Sequence, residues 1–308
     1  MRKKVTDDQL EECIHKYCRD LTHLAKQDRF DPITGRDKEI MDSILILLQK
    51  GRKNVMFLAP AGVGKTAICV GLAQKIANGD VPSYLKGARV IEIDLPSMAA
   101  GTNSSAEFQE RFMPLVKGAA ERYHDPAYPK YIFFLDEMHT IMPTCKGSAY
   151  AGLSEVMKPY LTVGDLHVLG ATTRDEFRIY VEVDPAMDRR FQKIHLKVPT
   201  VEETHVILEA IKGGYEKHHK ISIPSELTQL ICELTEEHMK KRNQPDKSII
   251  IMDGASALHV LNNGEGGELS LDAILNFISL EASVHPDALL DPRQRQDLEA
   301  IAKERLGG

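Results

Sequence analysis

Two hydrophobic periods alternate along the chain, and their order predicts an α/β region followed by an all-helical one. Leu10, Ile14, Tyr17, Leu21 and Leu24 recur at helical spacing, which predicts a single amphipathic helix over residues 8–25. The turn-forming segment Asp31-Pro-Ile-Thr-Gly-Arg36 interrupts it, and a second helix follows with Ile40, Ile44 and Leu47 on one face. Five short apolar runs read as strands: the run beginning at Val55, then Val90–Ile93, Tyr131–Leu135, Leu166–Gly170 and Ile194–Val198. Helical or loop segments separate each run from the next, so crossovers join them, the signature of a mostly parallel sheet covered on both faces. After Pro199 the pattern is helical only. Residues 201–218, 225–241 and 246–261 each carry an apolar face, with Pro224 and Pro245 marking the breaks. Asn262-Asn-Gly-Glu-Gly-Gly267 reads as an exposed turn, followed by a helix with Leu271, Ile274, Leu275 and Ile278 and by a charged terminal helix.

The first strand runs into Ala61-Gly62-Val63-Gly64-Lys65-Thr66-Ala67, and a helix with Ile68, Leu72 and Ile76 follows. Strand, glycine-rich loop and helix in that order are the context of a phosphate loop, G-x-x-x-x-G-K-[ST]. Glycines let successive backbone N–H groups turn inward, the helix N-terminus adds positive potential, and the lysine reaches the outer phosphates. A threonine hydroxyl at this position can complete the shell of a magnesium ion. The first glycine of the pattern is replaced by Ala59, which is tolerated where the backbone stays extended and costs roughly 1 kcal/mol if it needs φ > 0.

Composition narrows the partners. The 308 residues are 43% hydrophobic and 27% charged, enough for a sizeable core in an ordinary soluble chain. A net charge of −6 offers no basic footprint, so no nucleic acid is expected. The five cysteines form no C-x-x-C pair, which suits free thiols in a reducing compartment rather than a disulfide framework or zinc site. No apolar run reaches the length of a membrane span, and Met-Arg-Lys-Lys-Val-Thr-Asp-Asp turns polar too soon for a signal peptide. A cytoplasmic protein without membrane insertion is the expectation.

Two further motifs carry chemistry. Asp136-Glu137 closes the apolar run Ile132-Phe-Phe-Leu135, and adjacent carboxylates leaving a buried strand call for a cation or polar ligand. In nucleotide hydrolases the aspartate serves magnesium and the glutamate can polarise the attacking water. Thr172-Thr173 ends another strand, and in such sheets the ligand lies beyond the carboxyl ends. Arg189-Arg190 reads either as a solvated loop or as a source of positive charge for a transferring phosphoryl group.

Taken in order, these segments resemble the first ATPase module of the Clp-type AAA+ unfoldases and disaggregases, such as ClpA, ClpB and ClpC. The resemblance rests on Asp31-Pro-Ile-Thr-Gly-Arg36, Ala61-Gly-Val-Gly-Lys-Thr-Ala67, Gly79-Asp-Val-Pro82, Glu107-Phe-Gln-Glu-Arg111 and Phe134-Leu-Asp-Glu-Met-His-Thr140. It continues through Gly170-Ala-Thr-Thr-Arg-Asp-Glu-Phe177, Asp184-Pro-Ala186, Arg189-Arg-Phe-Gln192 and Pro245-Asp-Lys247, nearly the whole chain. It implies a five-stranded parallel αβα core, a small all-α lid, and ATP held where subunits of a ring meet, usually six. The corresponding domains are an N-terminal helical segment (1–30), the large α/β nucleotide-binding subdomain (31–199), the lid (200–262), and a linker with C-terminal helices (263–308). By the same resemblance Lys65 contacts the outer phosphates within the loop Ala61–Ala67, Thr66 and Asp136 serve Mg2+, and Glu137 activates water. Thr172 is similar to the family's sensor, Arg189 and Arg190 to the fingers a neighbouring subunit inserts, and Ile33 and Thr34 fall at the adenine pocket. No arginine stands at the start of the 246–261 helix, so no lid sensor is expected.

The departures lie in the segments that grip substrate. Threading members carry Gly-x-Lys-Tyr-Arg-Gly before Glu-Phe; here Gly101-Thr-Asn-Ser-Ser-Ala106 puts Ser104 where the tyrosine stands, and a hydroxyl supplies little apolar area. The second axial loop, Asp-Ala-x-Asn in the family, reads Gly152-Leu-Ser-Glu155. The stretch covers one module, either of a natural single-module protein or of a longer chain. The leading expectation is an ATP hydrolase of chaperone type that assembles into a ring and remodels a protein client or works with an adaptor. The alternatives are an ATP-dependent assembly switch that does not thread polypeptide, and, against the acidic charge, a nucleic-acid motor or clamp loader.

Overall fold

The computed structural model describes residues 4–307; the opening Met1–Lys3, part of the segment read above for a leader, and Gly308 lie outside them. The chain divides into two compact units. One comprises the chain up to Pro60 with Lys65–Lys197, the other Ala61–Gly64 with the chain from Val198 onward.

In chain order the first unit contains α1 (Asp7–Tyr17), β1 (Cys18–Asp20), α2 (Leu21–Lys26), α3 (Asp37–Leu47), β2 (Asn54–Leu58), α4 (Lys65–Asn78) and β3 (Arg89–Ile93). It continues with α5 (Leu95–Ala99), α6 (Ser105–Arg122), β4 (Tyr131–Leu135), α7 (Leu153–Val163), β5 (His167–Thr172), α8 (Arg174–Glu176), α9 (Pro185–Asp188) and β6 (Phe191–His195). The strands form one six-stranded sheet in the order β1-β3-β4-β5-β2-β6, parallel throughout except for β1, which runs antiparallel to β3. Every residue of β2, β4 and β5 is buried, as a sheet covered on both faces requires. A core of Met56, Leu58, Phe133 and Leu135 packs with Phe108 and Phe112 of α6.

The sheet corrects the sequence reading at two places. The helix expected over 8–25 is broken, because Cys18-Arg19-Asp20 extends to pair with Ile91–Ile93 and makes the sixth strand. Asp20 decides the break: its carboxylate caps α2 by accepting from His23 N (2.9 Å) and also accepts from Arg89 Nε at 2.8 Å. The last strand is Phe191–His195 rather than Ile194–Val198, since Phe191 is fully buried whereas Val198 is 40% exposed.

The second unit contains α10 (Val201–His219), α11 (Ser225–His238), α12 (Asp246–Asn263), α13 (Leu271–Ala282) and α14 (Pro292–Gly307). Leu208, Ile231, Ile251, Met252, Ile274 and Ile278 meet in its core. Gly254 lets α12 and α13 approach closely, for a Cβ there would fall 2.0 Å from the Phe277 ring. Among the described residues no helix is long and apolar enough to cross a membrane.

Candidate nucleotide-binding site

Because β4, β5 and β2 are adjacent and parallel, their carboxyl ends bring Asp136, Thr172 and the Ala59-Pro60 start of the phosphate loop to one edge of the sheet. Ala59 is buried, its backbone is not left-handed, and its N–H continues the ladder to Thr172 O at 3.2 Å. The missing first glycine is thus accommodated without strain. Gly62 (φ 77°) and Gly64 (φ 98°) take the left-handed conformations that favour glycine, and α4 begins at Lys65. Val63 is buried, while Ala61, Thr66 and Ala67 keep access to solvent. Within the second unit Asn243 Nδ2 donates to Ala61 O at 3.0 Å, and a Cβ on Gly62 would lie 2.8 Å from that of Asp246. Lys65 is buried and donates through Nζ to Ala59 O (3.2 Å) and Pro60 O (3.3 Å).

At the end of β4 Asp136 and Glu137 are exposed, and Asp136 Oδ1 accepts from Glu137 N at 2.9 Å. Glu137 is left-handed (φ 47°, ψ 46°) and turns the chain into a short 3-10 helix, Met138–Ile141. Partial burial and the charges of Asp136 and Glu176 raise the Glu137 carboxyl above the usual carboxylate range, with Lys65 and His139 opposing.

Thr172 is fully buried and donates to Glu176 Oε2 at 3.0 Å. Glu176 also accepts from Thr173 Oγ1 (2.8 Å) and Thr173 N (3.1 Å), a capping box that opens α8. Burial acts against the Glu176 charge, yet the Thr173 and Thr172 donors and His139 hold its carboxyl below the usual range. His139 Nδ1 lies 3.0 Å from Thr172 Oγ1, 3.4 Å from Glu137 Oε2 and 3.3 Å from Glu176 Oε2. His139 and Glu176 fall inside the stretches quoted above, but sequence reasoning assigned them no role. The Thr173-x-x-Glu176 capping pattern was the available signal for the second.

The remaining expected residues stand apart from this cluster. Ile33 and Thr34 are half-buried, and Ile33 borders a cavity of about 370 Å3 with Pro32, Ile40, Gly71 and Gln74. Gly71 allows that approach, since a Cβ there would meet Ile40 at 2.5 Å and Ile33 at 3.4 Å. Arg189 is exposed and donates through Nε to Pro185 O at 3.1 Å; Arg190 is half-buried. Among the described residues no hydrogen bond or ion pair joins either arginine to Asp136, Glu137 or Thr172.

Gly101–Ala106 is exposed apart from half-buried Thr102, and both expected gripping segments are held by local bonds. Ser104 caps α6 by accepting from Glu107 N (3.2 Å), Glu107 Oε2 accepts from Asn103 N (2.8 Å), and Arg111 Nη1 donates to Met98 O and Ala100 O. In the second segment Leu153 and Ser154 are buried, and Glu155 pairs with Lys158.

Residues 55–198 match the family described as "ATPase family associated with various cellular activities (AAA)", and residues 200–297 match the "AAA lid domain". The chaperone protein ClpB of Vibrio cholerae serotype O1 is 38% identical over 258 residues, which cover 83% of this chain and 30% of that one. The chain belongs to the Clp family of AAA+ ATPases. Clp-family ClpB from Meiothermus ruber is 36% identical over 294 residues, 96% of this chain and 33% of the relative. The chain therefore spans about a third of the length of these ClpB relatives. Among solved structures, the closed state of Hsp104 with ATPγS and FITC casein superposes with a TM-score of 0.79 at 31% identity, covering 95% of this chain and 49% of that one. The extended Hsp104:casein complex of S. cerevisiae superposes at 0.77 with 32% identity, covering 88% and 46%.

Proposed function

We propose that this Clp-type module binds Mg-ATP and hydrolyses it where subunits of a ring meet, coupling turnover to remodelling of a protein client. One observation carries the reading: the phosphate loop follows the strand beside the one ending in Thr172, and Asp136-Glu137 leaves the next strand over. Backbone N–H groups of Ala61–Gly64 and the N-terminus of α4 bind phosphate oxygens, and Lys65 exchanges its loop carbonyls for the outer phosphates. Ile33 and Thr34 flank the adenine, and Ala67 completes the loop.

Hard oxygen donors suit magnesium, and the carboxylate of exposed Asp136 and the hydroxyl of half-buried Thr66 are of that kind. These two residues would hold the ion, which would offset charge on the phosphate oxygens. Glu137 accepts a proton from the attacking water, and its raised carboxyl makes it a stronger base than an ordinary glutamate. Thr172 serves as the sensor from beneath the site, through the bonds of its buried hydroxyl to Glu176 and His139. Arg189 and Arg190, bonded to none of these groups, act on the site of a second copy, which makes the active form an oligomer, a hexamer in the nucleotide-bound state. A cytoplasmic setting keeps the five free cysteines reduced.

A second reading has its own observation. Ser104 is engaged in capping α6 and offers no aromatic surface, which favours an ATP-driven assembly switch that orders partners without threading them. The experiment is ATP turnover together with loss of fluorescence from a tagged folded client. Turnover with client unfolding supports remodelling, turnover without unfolding supports the switch, and no turnover above background overturns the hydrolase.

A further inference from the structure

The placement of His139 follows from a close approach between two elements. Gly170 on β5 has no side chain, and a Cβ there would fall 2.3 Å from Met138 Sδ. That space lets the turn after β4 pack its buried Met138 onto β5, bringing the next residue, His139, against Thr172. The left-handed Glu137 supplies the change of direction. The ring of Tyr180 stacks on the imidazole at 5.6 Å and 26°, which fixes its plane.

Counting protons then fixes the direction of the bonds. Thr172 has a single hydroxyl proton and gives it to Glu176 Oε2. Its oxygen is left to accept, so His139 Nδ1 carries the proton and donates to Thr172 Oγ1. The same Nδ1 lies 3.3 Å from Glu176 Oε2 and 3.4 Å from Glu137 Oε2, ion-pair distances beside its hydrogen bond to Thr172. One N–H group thus stands between the sensor hydroxyl and the carboxylate to which the proposed mechanism assigns the water.

We infer that His139 is a positioning residue for hydrolysis: through Nδ1–H it holds the Thr172 hydroxyl and the Glu137 carboxylate in fixed relation. This rests on the reading of Glu137 as the base. Acting through Thr172 and Glu137 rather than on the nucleotide itself, it affects the chemical step when lost and leaves nucleotide affinity in place.

The test uses the full chain with ATP. Asparagine can place an amide N–H near the Nδ1 position, glutamine places its own near Nε2, and alanine places none. Expected are a kcat about tenfold or more below wild type for His139→Ala and His139→Gln, recovery to within about threefold for His139→Asn, and an ATP Kd unchanged within about twofold in all three. A kcat for His139→Ala within about twofold of wild type overturns the inference, as does an asparagine variant no better than the glutamine variant, or a loss confined to affinity. Glu137→Gln runs alongside. If it hydrolyses ATP at the wild-type rate, the reading of Glu137 fails and this inference with it. If it is inactive while His139→Ala is normal, only the role of His139 is refuted.

Discussion

Lys65 Nζ donates to the carbonyl oxygen of Ala59 at 3.2 Å, so the loop's one cation lies over the turn that it closes. Truncating it removes the charge meant for the outer phosphates and spares the backbone cradle. Lys65→Ala is expected to weaken ATP binding by about tenfold or more, with turnover falling at least as far, since charge-assisted bonds contribute about 1.5–3 kcal/mol. Titration calorimetry with a slowly hydrolysed ATP analogue checks this.

Glu137→Gln keeps shape and hydrogen bonding but cannot take a proton. Turnover should fall by roughly 10²–10⁴ with ATP still bound. The variant should accumulate as nucleotide-bound oligomers, seen by mass measurement in solution with ATP. A normal rate would remove Glu137 from the mechanism.

Arg189 and Arg190 predict complementation between copies. Arg189→Ala/Arg190→Ala should bind ATP normally yet lose turnover by about 10³ or more. Mixing it with Lys65→Ala should restore part of the rate, because each copy supplies what the other lacks. A mixture no more active than its components would place the arginines outside a shared site.

His167 predicts a pH dependence of stability away from the nucleotide. It is fully buried among Lys53, Tyr84, Tyr123 and Lys130, and burial, with the Lys53 charge adding, pushes it from 6.5 down to about 3. Between these values the unfolded chain binds a proton that the folded one refuses, so stability falls as pH drops below 6.5 and the effect levels off near 3. The slope is about 1.4 kcal/mol per pH unit. Urea unfolding at pH 6.5 and pH 5 should show a loss of about 2 kcal/mol in the wild type, most of it absent in His167→Gln.

Gly254 predicts a packing effect in the helical unit. Gly254→Ala gains helix propensity of about 1 kcal/mol but drives a methyl into the Phe277 ring. Overpacking of this kind costs about 1–3 kcal/mol, so net destabilisation is expected by thermal unfolding, and Phe277→Leu in the same chain should relieve it.

The parallel sheet was legible because its buried strands are continuous apolar runs, and the phosphate loop because Gly62, Gly64, Lys65 and Thr66 keep fixed spacing between strand and helix. β1 was not, since Leu10, Ile14, Tyr17, Leu21 and Leu24 keep helical spacing straight through the three residues that extend. A propensity window cannot see that Asp20 is claimed by His23 N and by Arg89, the latter 69 positions away. The meeting of His139 with Thr172 was hidden for a related reason: it depends on what Gly170 leaves out, and a missing side chain has no periodicity.

The short antiparallel strand at the edge of the sheet has a consequence beyond the site. Its unpaired rim is only three residues long and carries Arg19, whose side chain is 59% exposed and paired with Glu92. An extended polypeptide drifting past finds too few backbone donors and acceptors there to add itself as a further strand. Copies of this chain are thereby denied a template for pairing edge to edge at that border.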